Sequence, residues 1–188
     1  AVKRILSPVA GALHYAHVNH TQHGNLHPDI LLVDARGNTM LTEFALPGIE
    51  DDPAAIPYMA PEQLRGQSTF ASDQYALAVM VYEWLCGRRP YEATEREALL
   101  QQQEQHDVPS PRSLNAAISA TVERVLLQAL ARTPEERFVH TLTFADYYLK
   151  ALMGLPLPSS EATSTRTTVP STPLSLLSQS RKTSNILA

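Results

Sequence analysis

Residues 58–64 read YMAPEQL and residues 72–91 read SDQYALAVMVYEWLCGRRPY. The second stretch carries the more direct structural message. Between residues 75 and 86 the only charged side chain is Glu83, so the run is apolar on most faces. At twelve residues it is too short to span a bilayer, which takes about 20. It is expected to be a helix packed inside a protein core. Ser72 or Asp73 is expected to cap its start, and Gly87 to end it.

Upstream, residues 1–20 carry a helical stripe of Ile5, Leu6, Val9, Ala12, Leu13, Ala16 and Val18, weakened by Pro8 and Gly11. The chain begins inside this pattern, which leads to the expectation that further sequence precedes it. A loop over 21–29 leads to two short apolar runs, 30–33 and 39–42, joined by Asp34-Ala35-Arg36-Gly37-Asn38, the pattern of a β-hairpin. Residues 43–61 contain Pro47, Pro53, Pro57 and Pro61 with no helical period, and read as an extended surface segment. Downstream, helices are expected over 94–105, 119–131 and 142–153, with 108–112 as a proline-rich connector. From residue 154 to 188 Ser, Thr and Pro dominate, and this tail is expected to be disordered. The organisation is one mainly α domain over 1–153 followed by the tail over 154–188.

The chain has 188 residues, 44% hydrophobic and 18% charged, with a formal charge of −4 and no basic run. Nothing here favours nucleic acid or an anionic membrane surface as a partner. Cys86 is the single cysteine, which excludes an internal disulfide and a cysteine-based zinc site. No signal peptide is legible, and a cytoplasmic location is expected. His14, His17, His20, His23 and His27 cluster in sequence without the spacing of a metal site.

YMAPEQL, the buried helix with its leading Asp73, and ARTPEERF at 131–138 occur in an order that resembles the large lobe of bacterial-type serine/threonine protein kinases. The resemblance covers about residues 1–153 and implies a kinase-like C-terminal lobe with a small β-hairpin, the N-terminal lobe being absent. It implies an ion pair between Glu62 and Arg137. It also implies that Asp73 accepts hydrogen bonds from the catalytic-loop backbone, and that His23 and Phe44 stack in an internal apolar column.

By the same resemblance, residues 22–46, QHGNLHPDILLVDARGNTMLTEFAL, align without a gap on the pattern HRDLKPxNILL…DFG. Asn25 then stands where the family has the aspartate that accepts the substrate hydroxyl's proton, a task a neutral amide cannot perform. His27 replaces the lysine that steadies the transferring phosphate. Ile30 replaces a metal-holding asparagine and offers no oxygen. Glu43 keeps a charge at the magnesium position but is one methylene longer, and Ala45 follows it in place of glycine. Gly24 replaces the arginine that clamps a phosphorylated activation segment, and residues 43–62 contain no Ser or Thr, with Ala55 where a threonine is usual. Leu32 is either the apolar floor beneath an adenine or a plain core leucine.

These substitutions imply a pseudokinase-type protein-binding, scaffold or regulatory module in signalling, with no catalytic residue and no cofactor expected. ATP and magnesium enter only under the alternative, a fragment of an active serine/threonine kinase. The partners expected are proteins, an active kinase among them. By composition the tail reads as a solvated linker; the alternative is that such a kinase phosphorylates Thr172, Thr183 or Ser184. The expected contact surfaces are the 94–105 helix and the face where a small lobe would sit.

Overall fold

The computed structural model describes residues 2–44 and 52–158. By contacts the chain divides after Leu157, and of the second unit, 158–188, only Pro158 is described. The expectation of disorder over 159–188 therefore falls outside the described residues, whereas 154–157, expected in the same tail, belong to the compact unit. The first unit is helical apart from one hairpin. No helix among the described residues is long and apolar enough to cross a membrane.

Helix α1 (Val2–Val18) runs through Pro8 and buries Leu6, Val9, Ala10, Leu13 and Ala16, one face at helical spacing. Strands β1 (Leu31–Val33) and β2 (Thr39–Leu41) pair antiparallel with Leu32 opposite Met40. The Asp34 carboxylate closes their turn by accepting from the Arg36 and Asn38 backbone N–H groups, each at 2.8 Å. Three-residue 3₁₀ turns lie at Pro28–Ile30, Ile56–Tyr58 and Pro134–Glu136.

Residues 52–61 are not the extended surface segment expected from their prolines. They turn into the fold, burying Ala55, Tyr58, Met59, Ala60 and Pro61. Proline fixes φ near −65°, which suits the first position of a helical turn as well as an extended chain. Pro61 takes that role, opening the short helix α2 (Pro61–Leu64), and Pro57 sits second in the turn Ile56–Tyr58. The Tyr58 hydroxyl donates to Glu83 at 2.8 Å, anchoring the segment on the central helix. Residues 45–51 lie outside the described residues.

The central helix α3 (Phe70–Cys86) is buried continuously from Ser72 to Tyr82. It starts earlier than the expected caps Ser72 and Asp73. Thr69 is the N-cap, and Ser72 reaches back from the third helical position to accept its N–H at 3.0 Å. Asp73 is thereby free to face a neighbouring loop. Gly87 ends the helix with φ +75°, a conformation costly for other residues, and its N–H returns to the Glu83 carbonyl at 2.8 Å.

Helix α4 (Arg96–Gln105) is polar and buries only Leu99 and Gln103, while α5 (Pro111–Leu114) interrupts the proline-rich connector. Ser119 caps α6 (Ala120–Ala129) by accepting from the Val122 N–H at 3.2 Å. Helix α7 (Thr141–Leu152) lays Phe144, Ala145, Tyr148 and Ala151 against α1 and α6. Leu157 packs against the same core, so the compact unit continues past the last helix.

Candidate functional site

The loop over 20–30 leaves α1 and is held from below by Asp73. That carboxylate, almost fully buried, accepts from the backbone N–H of His23 at 2.9 Å and of Gly24 at 2.8 Å. Its third partner is His17 Nε2 at 2.7 Å. Sequence reasoning missed His17 in this role; its place at the end of α1, one turn before the loop, was the available signal. Gly24, with φ +75°, adopts the left-handed backbone that lets two successive amides face one carboxylate. Its carbonyl accepts from Gln63 Nε2 on α2, tying the loop to the segment that follows residue 58.

Within this frame His23 is buried, and its two ring nitrogens have distinct partners. Nε2 lies 2.9 Å from the Thr42 carbonyl, and Nδ1 accepts from the Asn25 N–H at 3.3 Å. Both bonds together require the neutral imidazole with its proton on Nε2. Burial, above all, holds the His23 pKa below its ordinary value, against the Thr42 carbonyl and the Asp73 charge, which favour protonation. His23 and Phe44 meet with ring centroids 4.7 Å apart, tilted by 58° rather than stacked face to face.

Asn25 is buried, and neither its amide oxygen nor its amide nitrogen has a hydrogen-bond partner. His27 is buried in the same condition at both ring nitrogens. Its neighbours are charges beyond good hydrogen-bond geometry: Asp52 at 3.4 Å from Nε2, and the solvent-exposed Asp29 at 3.9 Å from Nδ1. Asp52 was also missed, because only folding brings it back onto the loop.

Ile30 belongs to the main hydrophobic core, and its carbonyl accepts from Thr42 N–H and Oγ1. Glu43 is exposed, with φ +62°. A left-handed backbone at a non-glycine residue is a strained feature of a kind that gathers at functional positions. Leu32 is not a core leucine. It is half exposed and points off the hairpin beside the equally exposed Met40. With Leu32 on the outer face of the pleat, Leu31 and Leu41 pack against the core instead.

Away from this loop, Glu62 and Arg137 meet in a bidentate ion pair, 2.7 and 2.8 Å. The remaining Arg137 N–H groups donate to the carbonyls of Ala71, Ala131 and Arg132, so all five donors are used. Ser72 Oγ donates to Glu62 at 2.8 Å, and the guanidinium lies 4.8 Å from the centre of the Tyr75 ring. Burial works against the charge on Glu62, but Arg137 and Ser72 outweigh it and hold the carboxyl below its ordinary pKa.

Residues 1–149 match the family model described as the protein kinase domain. Among curated proteins, serine/threonine-protein kinase Pkn1 of Myxococcus xanthus is 35% identical over 169 residues, 81% of this chain and 24% of that protein. Serine/threonine-protein kinase PrkC of Bacillus subtilis is 28% identical over 144 residues, 71% of this chain and 22% of that protein. The chain thus spans about a quarter of the length of these relatives. Among solved structures, the PknI kinase domain of Mycobacterium tuberculosis superposes with a TM-score of 0.65 at 26% identity. That likeness covers 80% of this chain and 54% of the solved one. The matched region, the helical architecture with its hairpin and the identity to Pkn1 establish that the chain belongs to the protein kinase family, with the fold of the serine/threonine-kinase large lobe.

Proposed function

We propose that the chain is a pseudokinase-type module, a protein-binding or regulatory element built on a kinase lobe that does not transfer phosphate. The observation that carries this reading is the state of Asn25, a buried neutral amide at the position of the catalytic base. An amide takes up no proton at accessible pH, so a substrate hydroxyl placed there is not activated. Ile30 supports the same reading: its side chain is in the core and carries no oxygen. Of the two metal-holding positions only Glu43 retains a carboxylate, and the donor set does not fit a magnesium ion held by the loop. Phosphoryl transfer depends on positioning and charge stabilisation, and this loop supplies neither base nor phosphate-steadying lysine.

Binding is left as the function, with another protein as the partner and neither nucleic acid nor membrane favoured by the charge of −4. The polar face of α4 and the exposed apolar side chains of the hairpin, Leu32, Val33 and Met40, are the surfaces that suit it. The test is a thermal-shift titration with ATP, with and without Mg²⁺, together with a labelled-phosphate assay on protein free of contaminating kinases. Both are run on this chain and on the longest natural reading frame containing it. The expected result is no magnesium-dependent rise in melting temperature and no label in a substrate protein. Label incorporation that a Glu43→Ala variant abolishes overturns the proposal.

A further inference from the structure

Residues 5–64 contain seven Asp and Glu side chains against a single basic one, Arg36, so this stretch carries −6 in a chain whose formal charge is −4. Folding gathers three of those carboxylates around the loop over 20–30. Asp52 Oδ2 lies 3.4 Å from His27 Nε2, and Asp29 Oδ2 lies 3.9 Å from His27 Nδ1. Glu43, exposed just after β2, is close enough to His23 to favour its protonation, while burial keeps that ring neutral. Asp52 is held in place by the Ala54 N–H, which donates to its Oδ1 at 2.8 Å and leaves Oδ2 toward His27. Among the described residues no lysine or arginine is paired with any of the three carboxylates.

A second observation at the same place is independent of charge. Asn25 and His27 are more than nine-tenths buried, and all four of their side-chain polar atoms lack a hydrogen-bond partner. Folded proteins pair nearly every such atom, and an unpaired one points to a partner that is missing. The needs here are mixed, since the Asn25 amide both accepts and donates, and so does a neutral imidazole. A metal ion satisfies acceptors only. Among the described residues no three His, Cys, Asp or Glu side chains converge closely enough to hold one. A phosphate or a partner's carboxylate meets three negative charges and is repelled.

We infer that the mouth of this loop is a docking site for an arginine side chain of a partner protein, presented on an extended segment. The inference rests on the reading of the chain as a protein-binding module and names the chemistry of its partner. A guanidinium carries its donors in a planar fork, which suits carboxylates spread about the loop rather than gathered at one point. Asp52 and Asp29 take those donors. The Asn25 amide takes the backbone of the segment, its nitrogen donating to a carbonyl and its oxygen accepting an N–H. Asp73 fixes the loop through its backbone, so the Asn25 and His27 side chains turn toward the incoming segment while the loop stays seated. Lysine, a compact ammonium with three donors, satisfies fewer of these groups.

The test uses the full chain and fluorescein-labelled hexapeptides alternating alanine with arginine, with lysine, or with citrulline, which keeps the shape of arginine without its charge. Fluorescence anisotropy at pH 7.5 is expected to show the arginine peptide binding about tenfold more tightly than the citrulline one, with lysine between them. Asp52→Asn is expected to lose about tenfold, and the exposed Asp29→Asn about threefold. Asn25→Leu is expected to lose about threefold although it removes unpaired polar atoms from the fold, so that loss is not one of folding. Glu136→Gln, which alters an exposed carboxylate away from the loop, is expected to change nothing. Equal binding of the arginine and citrulline peptides, indifference to both aspartate variants, or an equal loss in Glu136→Gln overturns the inference. So does spermidine binding as tightly as the arginine peptide, which would make a free polyamine the occupant. A serine-containing version of the arginine peptide, incubated with labelled ATP and Mg²⁺, separates this inference from the reading it rests on. Label in that peptide overturns the reading, whereas absence of both binding and label overturns the inference alone.

Discussion

Two buried polar regions of the molecule stand in opposite states. At the junction of α2 and α3 with the turn after α6, Arg137 spends all five of its donors, two on Glu62 and three on backbone carbonyls. In the loop after α1, Asn25 and His27 are as deeply buried, yet not one of their four side-chain polar atoms has a hydrogen-bond partner. Burial without a partner carries a desolvation penalty that burial with one offsets. The difference separates a contact that holds the fold together from loop side chains that the fold leaves unpaired. The knot at Arg137 joins chain segments 75 residues apart and cannot be lost without cost to the whole lobe. The loop is fixed through its backbone by Asp73, so its side chains are free to change without unseating it.

Breaking the satisfied region should therefore produce the larger effect. An Arg137→Met substitution leaves Glu62 buried beside an apolar side chain and takes a donor away from three carbonyls. It is expected to cost about 3–5 kcal/mol of stability, the usual result of removing one partner of a buried pair. Urea denaturation followed by the fluorescence of Trp84, the single tryptophan, reads it directly. Adding Glu62→Gln should return part of the loss, because no charge is then stranded. A loss below about 1 kcal/mol in the single variant would mean that the knot does not hold the lobe together.

The unsatisfied region should respond in the opposite sense. Asn25→Leu keeps the approximate shape and removes two polar atoms that nothing satisfies. Stability is expected to rise by about 1 kcal/mol, since the penalty for an unpaired buried group disappears. The same denaturation curves measure it. A fall of similar size would place a partner on Asn25, whether ordered water or a ligand, and the contrast between the two regions would narrow.

How much of this was legible in the sequence follows the same division. The central helix was evident from its apolar run, and Gly87 as its end from the need for a left-handed residue there. Its start was misjudged because Ser72 caps from the third helical position while Asp73 serves the loop, and a list of capping residue types does not separate those uses. The hairpin was legible from Asp34 and Gly37, but the exposure of Leu32 was not, since a three-residue strand has too little alternation to say which face is outward. The inward course of residues 55–61 was hidden because proline suits an extended chain and a helix start equally well. At the candidate site the residue types were visible along the loop. The residues that hold or flank that loop, His17 behind Asp73, Gln63 on the Gly24 carbonyl and Asp52 beside His27, come from three separate stretches of the chain and required the fold.

The smallest effect lies at His23, within the loop itself. Its neutral ring is used at both nitrogens, Nε2 toward the Thr42 carbonyl and Nδ1 from the Asn25 N–H, and burial holds its pKa below the ordinary 6.5. Above pH 6.5 the ring is neutral in both folded and unfolded chains, and its contribution to stability is fully present. As pH falls below 6.5 the unfolded chain takes the proton first, so stability declines until the folded pKa is reached. Melting temperature measured from pH 7.5 to 5.0 should fall on the acid side. A His23→Gln variant, which keeps a donor and an acceptor but does not titrate, should show a shallower decline. The carboxyl at Glu62 is held below its ordinary 4.5, so the loss of its contribution falls mainly below this window. Identical slopes in the two proteins would mean that protonating His23 costs the fold nothing, and that its hydrogen-bonded ring is as dispensable as Asn25 and His27.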